Sequence, residues 1–329
     1  MNTHRTFGVE IECFSLLNPE ALALEINNAF SQNGISHRVN ITRWMSNTDS
    51  NNVSVWTVKG DSSLRHNNIP RNYYPVEIVT PVLSGHDGLE AIRVACSVID
   101  RHCKINRTCG LHVHHGVTAN ELASIAEAWL RAEPHIMQAM APSRRNNGYC
   151  GAWNDRVGSF SNPASNPGIR SSKYLTLNIS SFAIRNTVEF RCHSGTTDCR
   201  KIRNWVLATQ GLIEAAVSNG SRNFHGIDDV ANFITSNCNG GDVPRNNYRR
   251  LRREIFEFLS EAPKSRQEII SRFGRWPSKA MQAFRADGLL SQSGNYYSIA
   301  TSNGAVDNDY RQAARWLAQR HAHFNRQAA

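Results

Sequence analysis

Three short stretches with ionisable side chains at alternate positions do most to constrain what this 329-residue chain can fold into. In a strand, alternate side chains share a face. Gly110-Leu111-His112-Val113-His114 therefore points His112 and His114 one way, with Leu111, Val113 and His115 behind them. Gly8-Val9-Glu10-Ile11-Glu12 puts two carboxylates on one face, backed by Val9 and Ile11. Val188-Glu189-Phe190-Arg191 puts a carboxylate beside a guanidinium, backed by Phe190. A single triplet of this kind is also the solvent face of an ordinary half-buried strand. Three of them, joined by Val76-Glu77-Ile78-Val79 and Lys59-Gly60-Asp61, point to a sheet lining a cleft with metal ligands and phosphate binders.

The residue types suit one chemistry. Hard divalent cations take oxygen ligands, and magnesium commonly sits between carboxylates and substrate phosphates. Arginine binds phosphate oxygens bidentately and stabilises charge during phosphoryl transfer. Glu10, Glu12, Glu77 and Glu189 for metal, with Arg191 for phosphate, make a coherent ATP-dependent site. Neither a Walker A run nor Gly-x-Gly-x-x-Gly is present, so the common nucleotide-binding loops are absent.

The length suffices for a sizeable core and two domains. Mixed charges and a 40% hydrophobic fraction indicate a soluble globular chain, and no apolar run is long enough to span a bilayer. The first residues lead into a strand rather than a signal peptide. Eight scattered cysteines without a Cys-x-x-Cys pair read as free thiols in a reducing cytoplasm. A net charge of +10 favours phosphate-bearing partners such as nucleotides or nucleic acid. Arg249, Arg250, Arg252 and Arg253 cluster near a domain boundary.

Periodicity predicts a helix over 20–31, strands over 54–59 and 74–79, and a helix from an Asp87 cap to about Cys103. After the histidine strand, Asn120 caps another helix. Residues 142–170 have loop composition, and Arg144 with Arg145 suggests an anion-binding lid. The strand 174–178 pairs with the Glu189/Arg191 strand, and a long helix covers 200–218. The polar, turn-rich stretch 219–249 marks the boundary. Beyond it lie helices over 248–259, 265–273 and 278–287, then strands 289–292 and 296–299 joined by Ser293-Gly294-Asn295. Three helices and a two-stranded wing describe a small winged helix-turn-helix domain. On the third helix Lys279, Gln282 and Arg285 face outward. The expected division is 1–240, 241–300 and a helical tail over 301–329.

The ordered motifs resemble a known family. Phe7-Gly8-Val9-Glu10-Ile11-Glu12, Asp61-Ser62-Ser63-Leu64, Val76-Glu77-Ile78-Val79-Thr80-Pro81 and Cys109-Gly110-Leu111-His112-Val113-His114 are similar to successive motifs of the amidoligases. Ser143-Arg144-Arg145-Asn146 through Tyr149-Cys150, Leu177-Asn178 and Thr187-Val188-Glu189-Phe190-Arg191 continue the series, so the resemblance covers about residues 6–218. That family belongs with glutamine synthetase and glutamate-cysteine ligase. The resemblance implies an α+β fold: a curved, mostly antiparallel sheet flanked by helices, with ATP and two or three Mg2+ ions on its concave side (Mn2+ being the alternative). It implies that ATP phosphorylates a carboxylate and that an amine displaces the phosphate to form an amide.

By motif matching, Glu10, Glu12, Glu77 and Glu189 are metal-binding acids, and His112 lies near the metal and ATP phosphates with His114 close behind. Arg191 neutralises the transferred phosphoryl group, Asp61 sits near the metals or incoming amine, and Arg144 and Arg145 help bind ATP. Ser62 replaces the family's usual glycine, and Thr80-Pro81 its Ser-Pro. Neither change removes a ligand. Cys109, Cys150 and Cys192 read as packing residues, since acyl-phosphate chemistry needs no thiol nucleophile.

The expected partners are a carboxylate substrate and an amine substrate (small molecule or protein side chain), with nucleic acid or protein at residues 245–300 and no membrane. Two other classes are open. One is a zinc- or manganese-dependent hydrolase using His112, His114 and a glutamate, although histidines two apart on a strand are a weak zinc signature. The other is a DNA-binding regulator with a degenerate ligase domain, against which the retention of four acids and Arg191 argues.

Overall fold

The structure is a computed structural model describing residues 5–42, 55–145, 147–153, 163–165, 167–170, 172–237, 255, 258–259, 262–273, 277, 281, 290–299 and 303–328. The chain divides into two compact units, one of 2–236 with 312–329 and the other of 237–311 with Met1.

The larger unit is built on strand β1 (Phe7–Ser15). Helix α1 (Pro19–Gln32) follows, with the Asn18 side chain accepting from the Ala21 amide at its N-cap. Then come β2 (Val39–Thr42), β3 (Trp56–Gly60), β4 (Tyr74–Val79), α2 (Gly85–His102), β5 (Cys103–Lys104) and β6 (Gly110–Gly116). Next are α3 (Leu122–Gln138), α4 (Pro142–Arg145), α5 (Pro167–Arg170), β7 (Leu177–Asn178), α6 (Phe182–Arg185), β8 (Thr187–Ser194), α7 (Cys199–Asn219) and α8 (Ile227–Ile234). The sheet order is β2-β3-β4-β1-β6-β8-β7, with β5 also on β1. Among the described strand pairs of this sheet only β2–β3 is parallel, so the mostly antiparallel sheet flanked by helices agrees with expectation.

One face of this sheet is apolar because Val9, Ile11, Trp56, Val58, Val76, Ile78, Leu111, Val113, Val188 and Phe190 alternate with polar residues along their strands. Helices cover it. Phe30 of α1 packs its ring 5.3 Å from Trp56, and Phe190 meets Trp129 of α3 at 5.2 Å and Trp205 of α7 at 6.4 Å. His115 shares this face, with Nε2 2.8 Å from Thr209 Oγ1 on α7. The opposite, polar face carries the remaining ionisable residues of the triplets.

Boundaries differ in detail. Helix α2 begins at Gly85 with Ser84 in the cap position, so Asp87 stands in the first turn, where its charge favours the helix N-terminus. Helix α3 begins at Leu122 after Glu121, whose carboxylate accepts from the Thr118 amide at 2.7 Å, so Asn120 is not the cap. The strand expected over 174–178 shortens to Leu177–Asn178, because Leu175 bridges to Gly151 instead. Of the expected lid, 142–145 forms α4, and residues 146, 154–162 and 166 lie outside the described residues.

In the smaller unit, strand Lys264–Ser265 leads into helix Arg266–Phe273. Ser265 Oγ accepts from the Glu268 amide while the Glu268 carboxylate accepts from the Ser265 amide, a reciprocal N-terminal box. The hairpin Leu290–Ser293/Tyr296–Ile299 turns at Gly294 (φ +60°) and pairs with Lys264–Ser265. The helices expected over 248–259 and 278–287 fall almost wholly outside the described residues, as do Arg249, Arg250, Arg252, Arg253, Lys279, Gln282 and Arg285. A last helix runs from Asn303 to Ala328. Its part within the larger unit buries Ala313, Ala314 and Leu317 and donates from Arg320 Nε to Ala139 O. Among the described residues, no helix is long and apolar enough to cross a membrane.

Candidate active site

Register assembles the polar face. Facing residues of an antiparallel pair project to the same side. Lys59 faces Glu77, Glu77 faces Glu12, Glu10 faces His112, His114 faces Glu189, and Glu189 faces Asn178. Between Leu111 and Val113 the β6–β8 register shifts: Arg191 and Cys192 form a β-bulge in β8 opposite His112. Six strands thus contribute to one polar row, and all but β7, which supplies Asn178, contribute an acid or a base. Asn186, in the left-handed region at φ +53°, turns α6 into β8 and so sets where Glu189 falls.

His112 is the hub. Its Nδ1 lies 3.1 Å from Glu10 Oε2 and 3.6 Å from Glu189 Oε1, and its Nε2 lies 3.6 Å from Glu12 Oε1. His114 Nε2 is 3.2 Å from Glu10 Oε1, and its Nδ1 is 3.2 Å from Thr187 Oγ1. Asn178 donates to Glu189 Oε2 at 2.6 Å, Arg191 pairs with Glu189 Oε1, and Lys59 Nζ meets Glu77 Oε2 at 2.5 Å. Glu12, Glu77, His112, His114 and Glu189 are buried. Packing is tight enough that a side chain at Gly110 would displace its neighbours. A Cβ there would lie 2.8 Å from His112 Nε2 and 3.2 Å from both Glu12 Oε2 and Arg144 Nη2, while the Gly110 amide donates to Glu12 at 2.5 Å.

Two triads could hold a cation: Glu10–His112–Glu189 and Glu12–Glu77–His112, each with ligand atoms within 4.8 Å of one another. Their donors, carboxylate oxygens with one imidazole, fit hard divalent ions such as magnesium or manganese. Burial opposes ionisation of Glu10, yet hydrogen bonds from His112 and His114 hold its carboxyl well below the usual range. Burial, then the Glu10 charge, pushes Glu77 well above that range against the pull of Lys59. A buried acid raised by its neighbours is a group that gains from an arriving cation. Burial works against protonation of His114, but the Glu189 and Glu10 carboxylates raise it.

The other expected site residues lie around this row. Asp61, in the turn after β3, accepts from the Ser63 amide at 2.8 Å and belongs to neither triad. Arg144 is buried beside Gly110 and Glu12 and donates to Arg191 O at 2.8 Å. Arg145 donates to Met140 O and Gln138 O and lies over the Phe324 ring, so its charge is engaged away from the acids. Cys109, Cys150 and Cys192 are buried, and burial raises all three thiols, Cys109 to about 12. Asn178 and Thr187 entered the sequence reading only within their motifs, and Lys59 only as part of Lys59-Gly60-Asp61. Lys59 was findable from its alternation with Thr57 and Asp61, but its pairing with Glu77 depends on register.

A scan against protein families matches residues 3–169 to the model described as "Putative amidoligase enzyme", just over half of the chain. The match takes in Glu10, Glu12, Asp61, Glu77, His112, His114, Arg144 and Arg145 and ends before Asn178, Glu189 and Arg191. No curated protein matches. Among solved structures, the complex between Prokaryotic Ubiquitin-like Protein Pup and its Ligase PafA aligns at 12% identity and TM-score 0.32, over 98% of this chain and 64% of that one. This chain therefore spans less than two thirds of that ligase's length. By the family match, across the strands that carry most of the acid row, the chain belongs to the amidoligase family.

Proposed function

We propose that this protein is an ATP- and magnesium-dependent carboxylate–amine ligase working through an acyl phosphate. The observation that carries the reading is the pair of triads sharing His112, closed at one end by the Glu189–Arg191 pair. Glu10, Glu12, Glu77, Glu189 and His112 would hold two or three magnesium ions, with manganese as the alternative, and those ions would neutralise and align the nucleotide phosphates. Arg191 takes the charge of the transferred phosphoryl group. His114 and Asn178 hold Glu10 and Glu189 in place through the contacts above. Arg144 supports the Arg191 backbone, and Asp61 stands at the edge where an amine would enter.

In the reaction, a substrate carboxylate oxygen bonds to the γ-phosphorus as the bond to ADP breaks. An amine nitrogen then bonds to the acyl carbon, phosphate leaves, and the nitrogen loses a proton. The carboxylate and amine come from small molecules or protein side chains. We read the smaller unit as an accessory winged helix-turn-helix that contacts nucleic acid or protein, and the site of action as the cytoplasm. A gel shift at physiological salt, with and without the smaller unit, tests the first of these.

The ligase reading is tested by ADP and phosphate release with magnesium across pooled amines and carboxylates. Substrate-dependent release abolished by Glu12→Gln and by Arg191→Ala is expected. Release that both variants retain would refute the assignment.

A further inference from the structure

Lys59 is the ionisable residue of the polar face that the proposed reaction leaves without a part. The two triads are built alike. Each has one carboxylate, the shared His112, and a second carboxylate already paired with a basic side chain from the sheet. In the first triad Arg191 pairs with Glu189. In the second Lys59 pairs with Glu77 at 2.5 Å, with both side chains mostly buried. The two basic residues stand at opposite ends of the row, Lys59 on β3 and Arg191 on β8, four strand spacings or roughly 19 Å apart along the sheet.

A divalent ion in the second triad would touch the carboxylate that Lys59 touches. Two cations sharing one buried carboxylate repel with little screening. Lysine carries its charge on a flexible four-carbon stem and can turn to a new partner. An anion arriving with the ion would supply that partner and remove the repulsion. Divalent ions of this kind are commonly shared between carboxylates and phosphates, so a polyphosphate is the anion that fits.

We propose that Lys59 is the resident cation of the Glu12–Glu77–His112 triad: it holds Glu77 before the ion arrives, then turns to a phosphate oxygen, so that ion and polyphosphate fill this triad together. The assignment rests on the metal centre read above. By linkage each ligand tightens the other equally.

The test is Mn2+ titration of the full-length protein by calorimetry and electron paramagnetic resonance, with and without inorganic pyrophosphate. Glu77→Gln identifies the second site by its loss. In the wild type, pyrophosphate should tighten the second Mn2+ by about tenfold or more, within the usual span of coupling between sites. Lys59→Met should bind that ion about tenfold more tightly than wild type without pyrophosphate, and the tightening should fall below about threefold. Lys59→Arg should behave as wild type, and Lys59→Gln repeats the test should Lys59→Met fold poorly. A second ion equal or weaker in both neutral variants, or coupling undiminished in them, would overturn the role of Lys59 alone. A wild type that takes up no Mn2+ under either condition would overturn the metal centre itself.

Discussion

Gly110 is where the acid row is most crowded, and its lack of a side chain is a condition of the site. Gly110→Ala would press a methyl group against His112 at a distance real side chains do not tolerate and would crowd Glu12 and Arg144, so the His112 ring must shift. We expect this variant to lose about 1–3 kcal/mol of stability, the usual effect of overpacking, together with Mn2+ binding. Thermal melts and metal titration check both. Two buried histidines set a pH response away from the acids. Burial, then Arg5, holds His115 well below its ordinary value, and burial, then Arg320, does the same for His193. A histidine depressed in the fold contributes stability that is intact above its unfolded value of about 6.5 and is lost as pH falls below it. His114 is raised, so its contribution is present below that value and is lost above it, as pH climbs through its folded value. Between these windows, acidification below about pH 6.5 should lower the melting temperature of the metal-free protein. His193→Phe, which keeps a ring beside Trp205 and Trp316, should flatten that slope. At this scale the sequence named the acids correctly as neighbours on a strand but could not pair Lys59 with Glu77, because such a contact needs the register.

Among elements, the strands were legible and the joins were not. Strands β4, β6 and β8 could be read because apolar and ionisable residues alternate in them, and alternation is what a half-buried strand requires. The bulge opposite His112 has no such signature, and β7 is too short to show a period. A buried carboxylate fixes β7 instead. Glu133 on α3 accepts from the Trp153 amide at 2.9 Å and from Thr176 Oγ1, while Trp153 Nε1 donates to Leu177 O at 2.8 Å. This network holds the segment that places Asn178 on Glu189. Glu133→Ala would strand buried donors, so a loss of about 1–3 kcal/mol in chemical denaturation is expected. Glu133 stands on the buried face of α3 with Trp129, Ala132 and Ile136, and nothing in the sequence around it indicates a partner 43 residues away in Thr176.

For the whole molecule, the division near residue 237 followed a change in composition, but the return of the chain did not. Residues 312–328 belong to the larger unit, where Trp316 stacks on His193 at 5.8 Å and Leu317 is buried. Removing 312–329 should therefore destabilise that unit by roughly 2–4 kcal/mol, the scale of burying one or two large side chains, and a melt of the truncated protein measures it. Any test of the smaller unit needs an internal deletion that keeps this helix. Calorimetry of a non-hydrolysable ATP analogue with Mg2+, alongside metal analysis of the purified protein, tests most directly whether the acid row is a nucleotide-bearing divalent-ion centre. Nucleotide binding that requires Mg2+ and disappears in Glu12→Gln is expected. No nucleotide binding, with stoichiometric zinc held by the protein, would contradict it and favour a metal-dependent hydrolase.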